Sequence, residues 1–308
     1  MGPLFRSAAA ALGILVLAPQ HLAAQQPAPP LVRTEGLRKI SAHVHVIPDN
    51  SVPLVPNVGF IVGEKAVLVV DTGLGPPNGA AVLAVAQQLA GARDLYLVST
   101  HFHPEHDLGA QAFPSTTKLI RSQDEIRDIA EFGLQLAKVF ATRSPLHAEL
   151  LKDADYRKAD ITFDQSYDLD LGGVTAHFMA LGANHTRGDT AVWIEADRVL
   201  FAGDVAMKLQ PAFASPYSSM RHWFASLDQL EALKPALIVP AHGPMGDAGI
   251  IQGYRAYMTD VRDRATAEKK AGQTADQAVA VVTAALADRF PDRMRLEQAI
   301  RVAYAEAP

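Results

Sequence analysis

The sequence of 308 residues contains no cysteine. This absence excludes disulfide bonds and thiolate metal ligands, so an oxidising compartment would neither help nor harm the fold. The sequence also lacks any block of lysine or arginine, and its formal net charge is −5. Nothing in that charge balance favours a nucleic acid or an anionic membrane surface as a partner. We therefore expect a small-molecule substrate.

Long apolar runs are scarce as well. The apolar run Ala8–Ala18 near the start of the sequence is too short to span a bilayer. Arg6 precedes this run and the small residues Ala23-Ala24 follow it, an order that is typical of a secretory signal peptide. We expect residues 1–24 to be removed on export. The mature protein would then be periplasmic or secreted, with no stable membrane insertion.

The remainder of the chain has the composition of a globular protein, with 49% hydrophobic and 20% charged residues. No short-period repeat and no low-complexity run follows residue 30. We predict a flexible, proline-rich leader over residues 25–36 and a single domain over residues 37–248. Helical patterns then continue over residues 249–308, and we expect these C-terminal helices to pack on the domain.

The first half of the predicted domain alternates between strand and helix patterns. A strand hairpin over residues 60–70 is followed by a helix over about residues 78–89. The short apolar run of residues 95–100 then indicates a buried strand. Strand, helix and strand in this order require a crossover connection, which predicts an α/β layer.

The second half repeats this alternation. A capping box at Ser122–Glu125 predicts the start of a helix that ends near residue 141. Within that helix, we expect the apolar residues Phe132, Leu134, Leu136 and Val139 to pack on the sheet. Strand patterns return over residues 161–204. Two strand-rich halves with helices between them predict a layered sandwich.

The densest set of potential metal ligands follows the strand of residues 95–100. The seven residues His101-Phe-His-Pro-Glu-His-Asp107 contain three imidazoles and two carboxylates. Imidazole nitrogen and carboxylate oxygen are the ligands that Zn²⁺ takes when thiolate is absent. His185, Asp204 and His242 each follow a strand-like run. Because loops at strand ends can converge on one edge of a sheet, these side chains predict one open metal site.

The order of these motifs resembles that of the metallo-β-lactamase superfamily, whose pattern is His-x-His-x-Asp-His followed by a distant His, Asp and His. The resemblance covers about residues 44–246. It implies an α/β fold of the four-layer αββα sandwich type, here with a C-terminal helical extension. It also implies that one or two Zn²⁺ ions bind at one edge of the sandwich.

The resemblance further implies a role for each motif residue. Asp71 matches a residue that supports the ligand loop from behind. Asp204 matches a carboxylate that bridges the two metals. The remaining positions match His101, His103 and His185 for the first metal, and Glu105, His106 and His242 for the second.

Glu105 departs from the family pattern, which has aspartate at this position. Glutamate is longer by one methylene group, whereas Zn–O distances tolerate deviations of only about 0.2 Å. The sequence therefore predicts that the second metal site is weaker than the first. Asp107 is one residue further along and is expected to serve in loop hydrogen bonding instead.

The resemblance implies a hydrolase that attacks a carbonyl with hydroxide supplied by zinc, because bound zinc lowers the pKa of water to about 7. Glu105 or Asp204 would orient that hydroxide. Lys208 lies four residues beyond Asp204 and is expected to contact a substrate carboxylate.

Three functions fit these residues. The first is hydrolysis of a cyclic amide, as in β-lactamases, which the export signal and Lys208 favour. The second is hydrolysis of a lactone or thioester, as in glyoxalase II-like enzymes, which Asp204 favours because plasmid-type lactamases have cysteine at that position. The third is a non-catalytic metal-binding or sensor protein in which Glu105 has disabled hydrolysis.

We predict that export removes the first 24 residues, so that the mature chain begins near Gln25. The measurement is the intact mass of protein recovered from the periplasmic fraction of an expressing cell. A full-length protein that stays in the cytoplasm would contradict this prediction.

Overall fold

The computed structural model describes Gly2 and residues 29–308. Apart from Gly2, the predicted signal peptide lies outside the described residues, as does the leader up to residue 28. Their fate therefore stays a prediction. Across the described residues, no helix combines the length and the apolar character that crossing a membrane requires.

Two β-sheets form the centre of the molecule. The strands in chain order are β1 (Arg38–Lys39), β2 (Val44–Ile47), β3 (Val58–Val62), β4 (Ala66–Val70), β5 (Asp94–Val98), β6 (Lys118–Ser122), β7 (Ile161–Phe163), β8 (Ser166–Asp170), β9 (Thr175–Gly182), β10 (Asp189–Ile194), β11 (Val199–Gly203) and β12 (Leu237–Pro240).

Helices cover both outer faces of the sheets. They are α1 (Gly75–Ala90), α2 (Pro104–Asp107), α3 (Gln123–Asp128), α4 (Leu134–Ala141), α5 (Pro145–Leu150), α6 (Met220–Ala232), α7 (Gly249–Lys270), α8 (Ala275–Leu286) and α9 (Arg293–Glu306). Short 3-10 helices lie at Thr34–Gly36, Leu108–Ala112 and Glu195–Asp197, and a π-helical turn at Ile129–Gly133 joins α3 to α4.

The two sheets differ in size and in strand direction. Strands β1 to β7 form the first sheet in chain order, antiparallel as far as β4 and parallel from β4 to β7. The second sheet has the order β12-β11-β10-β9-β8 and is antiparallel except for the β11–β12 pair. The parallel pairs bring several strand ends to the same edge.

The core between the sheets follows from alternating side chains. In β10, Val192 and Ile194 face the first sheet, whereas Ala191 and Trp193 face the helices on the other side. In β4, Leu68 and Val70 likewise belong to the core between the sheets, and the intervening Val69 packs beneath α1. Both faces of these strands are therefore buried, which explains why they read as continuous apolar runs.

The outer layers complete the sandwich. Helix α1 packs Val82 and Ala86 against the first sheet. Helices α6 to α9 cover the second sheet through a core that includes Trp223, Met258 and Ile300. The layer order is thus helix, sheet, sheet, helix, which confirms the predicted αββα sandwich with a C-terminal helical region.

The helix predicted to run to about residue 141 begins where expected but differs from the prediction in its cap contacts and in its buried face. Ser122 accepts a hydrogen bond from the Glu125 backbone N–H, as predicted, but the Glu125 carboxylate bonds Arg121 rather than the cap. Leu134 and Val139 are 53% and 51% exposed, so the prediction that they pack on the sheet is wrong. The π-helical turn before α4 shifts the helical phase, which the sequence pattern did not reveal.

Phe201 holds the two sheets at close range. Its ring, 2% exposed, lies on the backbone of Gly59 in the first sheet, where a Cβ atom would approach the ring to 2.3 Å. Only glycine fits at that contact. Phe201 lies on β11, and this strand ends just before Asp204. The contact with Gly59 therefore also fixes the position of Asp204, a predicted metal ligand.

We predict that Phe201→Ala lowers the free energy of unfolding by about 3–5 kcal/mol, because it leaves a cavity between the sheets. Urea denaturation followed by circular dichroism measures the change. Leu134→Ala is the control, since this exposed residue should alter the free energy of unfolding by less than about 0.5 kcal/mol. Equal losses in the two variants would contradict the proposed sheet-to-sheet contact.

Candidate metal centre

The predicted metal ligands all lie at one edge of the sandwich. His101 follows β5, His185 follows β9, Asp204 follows β11 and His242 follows β12. Helix α2 begins directly after His103 and carries Glu105 and His106. The structure therefore brings together all seven side chains that the sequence singled out as ligands.

The first set of side chains contains three imidazoles. The potential ligand atoms of His101, His103 and His185 lie within 4.8 Å of one another, and all three side chains are buried. His103 Nδ1 and His185 Nε2 are 3.2 Å apart. Three imidazoles that converge in this way leave a position open, as catalytic zinc sites do.

The second set contains one carboxylate and two imidazoles. Glu105, His106 and His242 also place their ligand atoms within 4.8 Å of one another. Glu105 Oε1 is 3.9 Å from His106 Nε2. The longer glutamate side chain thus reaches the second set, and the geometry does not support the expectation that it falls short or overshoots.

Asp204 lies between the two sets. One of its oxygens, Oδ2, is 3.4 Å from His185 Nε2, and the other, Oδ1, is 3.9 Å from His242 Nε2. A carboxylate with one oxygen toward each set has the position that a bridging ligand requires. The geometry is consistent with the bridging role that the resemblance implied.

Orphaned polar atoms test whether these residues fit a metal. His101 Nε2, His106 Nε2, Glu105 Oε2 and Asp204 Oδ1 are buried, and none has a hydrogen-bond partner among the described residues. Buried polar atoms are normally satisfied. Imidazole nitrogens and carboxylate oxygens that converge without hydrogen-bond partners are the ligand types that a divalent cation binds, so the residues present fit a metal.

The surroundings of the first set keep its imidazoles in the neutral form. Burial lowers the pKa of both His101 and His103 well below the usual value, and the neighbouring imidazoles lower it further. Metal binding requires the neutral imidazole. These two residues are therefore in the ligand form at neutral pH.

The carboxylates and His106 respond to their neighbours in different ways. Burial raises the pKa of Glu105. Burial would also raise the pKa of Asp204, but His242 and His185 outweigh it, so that the pKa of Asp204 is lowered. Burial lowers the pKa of His106, but Asp71 outweighs it and raises this pKa to about 9. A metal at the second set would have to displace that proton.

Asp71 supports the ligand loop, as the resemblance implied. Its Oδ2 lies 2.9 Å from His106 Nδ1, and its Oδ1 accepts a hydrogen bond of 2.7 Å from the Thr100 backbone N–H. Asp71 itself has a φ of 63°, in the left-handed region that non-glycine residues rarely adopt. The carboxylate fixes which nitrogen of His106 faces the metal position.

Backbone carbonyls orient two further imidazoles. His185 Nδ1 lies 2.7 Å from the Ala212 carbonyl oxygen, and His242 Nδ1 lies 3.0 Å from the Val55 carbonyl oxygen. In each case the other nitrogen, Nε2, faces Asp204. No sequence pattern reveals these supports, because every residue has a carbonyl group.

A buried ion network anchors helix α2 from the other side. The Arg121 guanidinium, 1% exposed, contacts both oxygens of Asp107 and donates to Glu125. Asp107 thus serves in hydrogen bonding rather than as a ligand, as predicted. Tyr156 adds a 2.8 Å hydrogen bond from its hydroxyl to the Phe102 carbonyl oxygen. Sequence analysis missed Arg121, which is separated from Asp107 by 14 positions.

An open cleft of about 580 Å³ lies above the metal ligands. One wall is the loop that contains Ser51 and Leu54, both of which have positive φ values. The cleft also exposes the guanidinium groups of Arg143 and Arg295, which the sequence analysis did not identify.

Lys208 does not line this cleft. Its side chain is exposed and borders a separate cavity of about 200 Å³ beside Tyr254 and Tyr257. Asp204 directly follows β11, and Lys208 lies on the segment beyond it, outside the lining of the cleft. The position of Lys208 therefore does not favour the predicted contact with a substrate carboxylate.

We predict that Glu105→Asp weakens metal binding at the second set by at least about 10-fold, because the carboxylate withdraws by about 1.5 Å while metal–oxygen distances tolerate about 0.2 Å. Calorimetric zinc titration of the parent and the variant measures this. Glu131→Asp is a matched control, since Glu131 is exposed and pairs with Arg187 rather than with any ligand side chain. Tighter zinc binding by Glu105→Asp would instead support the expectation from the sequence that glutamate weakens the second site.

Comparisons with known proteins agree with this architecture. A curated relative, the linear primary-alkylsulfatase of Pseudomonas sp. (strain ATCC 19151), is 23% identical over 215 residues, which is 60% of this chain and 40% of that protein. This chain therefore spans less than half the length of that relative.

Solved structures show the same fold. A metallo-beta-lactamase from Pontibacter korlensis is 19% identical, with a TM-score of 0.54 over 70% of this chain and 95% of its own. The stereoselective inverting sec-alkylsulfatase Pisa1 from Pseudomonas sp. is 15% identical, with a TM-score of 0.65 over 87% of this chain and 49% of its own.

The sequence profile of the metallo-beta-lactamase superfamily matches residues 52–242, which is more than half of the chain. This range contains the seven convergent side chains and the aspartate that supports them. Sequence match, layer order and site geometry lead to one conclusion: the chain belongs to the metallo-beta-lactamase superfamily.

Proposed function

We propose that this protein is a zinc-dependent hydrolase that acts on a small organic anion. The observation that carries the proposal is the set of seven convergent side chains, five of which line the open cleft, together with four buried polar atoms of the set that have no partner among the described residues. A structural metal site is normally closed by four protein ligands. A solvent-accessible set of this kind supports catalysis instead.

The chemistry would divide between the metal and the protein. Bound zinc lowers the pKa of a coordinated water to about 7 and polarises the bond to be cleaved. Asp204, whose lowered pKa keeps it ionised, accepts a hydrogen bond from the attacking water and orients it. Glu105 would receive the proton that the water loses, because burial raises its pKa and makes it the stronger base of the two carboxylates.

The charges in the cleft favour an anionic substrate. Glu105 and Asp204 point at the metal positions, and Asp49 accepts hydrogen bonds from Ser51 and Gly243 in the cleft wall. Arg143 and Arg295 are then the charged side chains that remain for substrate. They replace Lys208 in the role that the sequence suggested.

The first candidate reaction is hydrolysis of a carbonyl substrate. A cyclic amide of the β-lactam kind carries a carboxylate that a guanidinium group can bind, which fits Arg143 or Arg295. Hydrolysis of a lactone or a thioester would use the same metal ligands and the same two arginines, and it is the alternative reaction. The position of Lys208 removes one of the two reasons for placing the cyclic amide first, so the choice between these substrates depends on the assay.

Sulfate-ester hydrolysis is a second candidate, supported by one observation. The likeness to the sec-alkylsulfatase Pisa1 extends over 87% of the chain and therefore reaches beyond residue 248 into the C-terminal helices. Those helices contribute Met294, Arg295 and Gln298 to the cleft. The likeness to the metallo-beta-lactamase from Pontibacter korlensis covers 70% and does not require them.

The test is turnover by zinc-loaded mature protein with four substrates: nitrocefin, a homoserine lactone, a glutathione thioester and octyl sulfate. We predict that His103→Ala loses the metal of the first set and lowers turnover of the accepted substrate by more than about 100-fold. Even residues that merely support metal ligands contribute about 10–100-fold. Elemental analysis measures zinc in the same samples.

His177→Ala is the matched control, because His177 pairs with Asp168 on the exposed face of the second sheet. It should retain the zinc content and the turnover of the parent. If His103→Ala keeps stoichiometric zinc and full turnover, the assignment of the first set is wrong. Stoichiometric zinc without turnover of any of the four substrates would instead favour a metal-binding or sensor protein.

A further inference from the structure

Helix α9 forms one wall of the cleft, although it lies outside residues 52–242 that match the superfamily. Met294, Arg295 and Gln298 line the cleft at positions i, i+1 and i+4, so that they share one face of the helix. On its other side, α9 packs Leu296 and Ile300 into the core of the C-terminal helices. The position of this wall is therefore set by buried contacts.

Arg295 is held in place but keeps part of its guanidinium group open. Its Nη1 donates a 2.6 Å hydrogen bond to the Gln210 carbonyl oxygen, and its Nε lies 3.3 Å from Asp292 Oδ2. Its Nη2 has no hydrogen bond to any described residue. A guanidinium group fixed through two nitrogens, with the third directed away from those contacts, can bind an anion at little cost in side-chain entropy.

Arg143 is a second cation of the cleft, on the segment between α4 and α5. Its Cζ atom lies 4.2 Å from the centre of the Phe140 ring, which is a cation–π contact. Among the described residues, no carboxylate lies within ion-pair distance of its guanidinium group. Its charge is therefore available to a ligand.

The rest of the cleft wall is largely apolar. Leu54, Leu136 and Phe140 line it from one side. Leu209 and Met294 border it while 46% and 66% exposed, and they are two of the six large apolar side chains with the highest exposure in the described chain. Exposed apolar side chains that border a cleft containing polar groups are typical of a ligand site.

We propose that the substrate is an amphiphilic organic anion, whose negatively charged group is bound by Arg295 and Arg143 and whose apolar chain lies against Leu209, Met294 and Phe140. This inference rests on the proposed hydrolase function, since it concerns the same cleft. The volume of about 580 Å³ suits a molecule of roughly 10–20 non-hydrogen atoms, because pockets for drug-sized ligands measure about 300–1,000 Å³.

On this model of binding, the C-terminal helices select the substrate. The metal ligands come from the superfamily domain and provide the hydrolytic chemistry. Arg295 and Met294 come from α9 and would select for charge and for an apolar chain. The two parts of the site can therefore be tested separately.

The experiment measures binding rather than turnover, with octane-1-sulfonate as a probe that cannot be hydrolysed. Calorimetry compares it with methanesulfonate, which lacks the chain, and with octan-1-ol, which lacks the charge. We expect octane-1-sulfonate to bind at least about 10-fold more tightly than either, because methanesulfonate loses the apolar contacts and octan-1-ol loses the charged hydrogen bonds. Equal binding of octan-1-ol would overturn the proposed role of the guanidinium groups.

Substitutions of the cleft-lining residues test which side chains bind the probe. Arg295→Gln and Arg143→Gln should each weaken octane-1-sulfonate binding by about 10-fold. Met294→Gln should weaken octane-1-sulfonate binding and leave methanesulfonate binding unchanged. Arg293→Gln is the matched control, because Arg293 lies two residues from Arg295 but lines a different groove. It should bind the probe like the parent.

The outcomes separate this inference from the proposed function. If neither Arg295→Gln nor Arg143→Gln changes binding, the inference is overturned whatever the enzyme hydrolyses. Arg143 is exposed, so its variant remains informative even if Arg295→Gln disturbs the packing of α9. Selective binding of octane-1-sulfonate through these arginines supports the inference, even by a protein that fails all four turnover assays.

Discussion

The rest of this structure depends on the convergence of five imidazoles and two carboxylates, all buried except the half-buried His242, at one edge of the sandwich. An unsatisfied buried polar group costs about 1–3 kcal/mol, and four atoms of this cluster have no partner among the described residues. Divalent cations satisfy these donors, so we expect zinc to stabilise the fold as well as to support catalysis. The strands make this possible because β5, β9, β11 and β12 all end at that edge.

The ligand atoms are held in place by contacts on the far side of each ring. Asp71 contacts His106, and backbone carbonyls of Ala212 and Val55 contact His185 and His242. These contacts select which nitrogen faces the metal. The Arg121–Asp107 ion pair performs the same task for the whole of helix α2, by holding the helix against β6. The site is therefore preorganised by the sandwich core rather than by the ligands alone.

The two halves of the cleft have different origins. The superfamily domain supplies the metal ligands and Leu54, whereas helix α9 supplies Met294 and Arg295. A hydrolase of this kind can change its substrate by changing one wall without disturbing its metals. In this protein, that wall combines an arginine with exposed apolar surface, which is the reason for expecting an amphiphilic anion.

Much of the fold follows from local signals in the sequence. Alternating and continuous apolar runs identified the strands, and the capping residue Ser122 marked a helix start that the structure confirms. The π-helical turn at Ile129–Gly133 could not be predicted in this way, and it exposes Leu134 and Val139.

The sequence by itself singled out the seven candidate metal ligands, through the dense cluster of His101–Asp107 and the resemblance of the motif order to the metallo-β-lactamase superfamily. Only the tertiary structure decided how they are used. It placed the Glu105 carboxylate within reach of His106, where side-chain length alone suggested a poor fit. It also turned Lys208 away from the cleft and brought Arg143 and Arg295 into it from segments about 150 residues apart. A ligand cluster depends on short-range spacing, which sequence preserves, whereas the walls of a cleft depend on long-range packing, which no local pattern records.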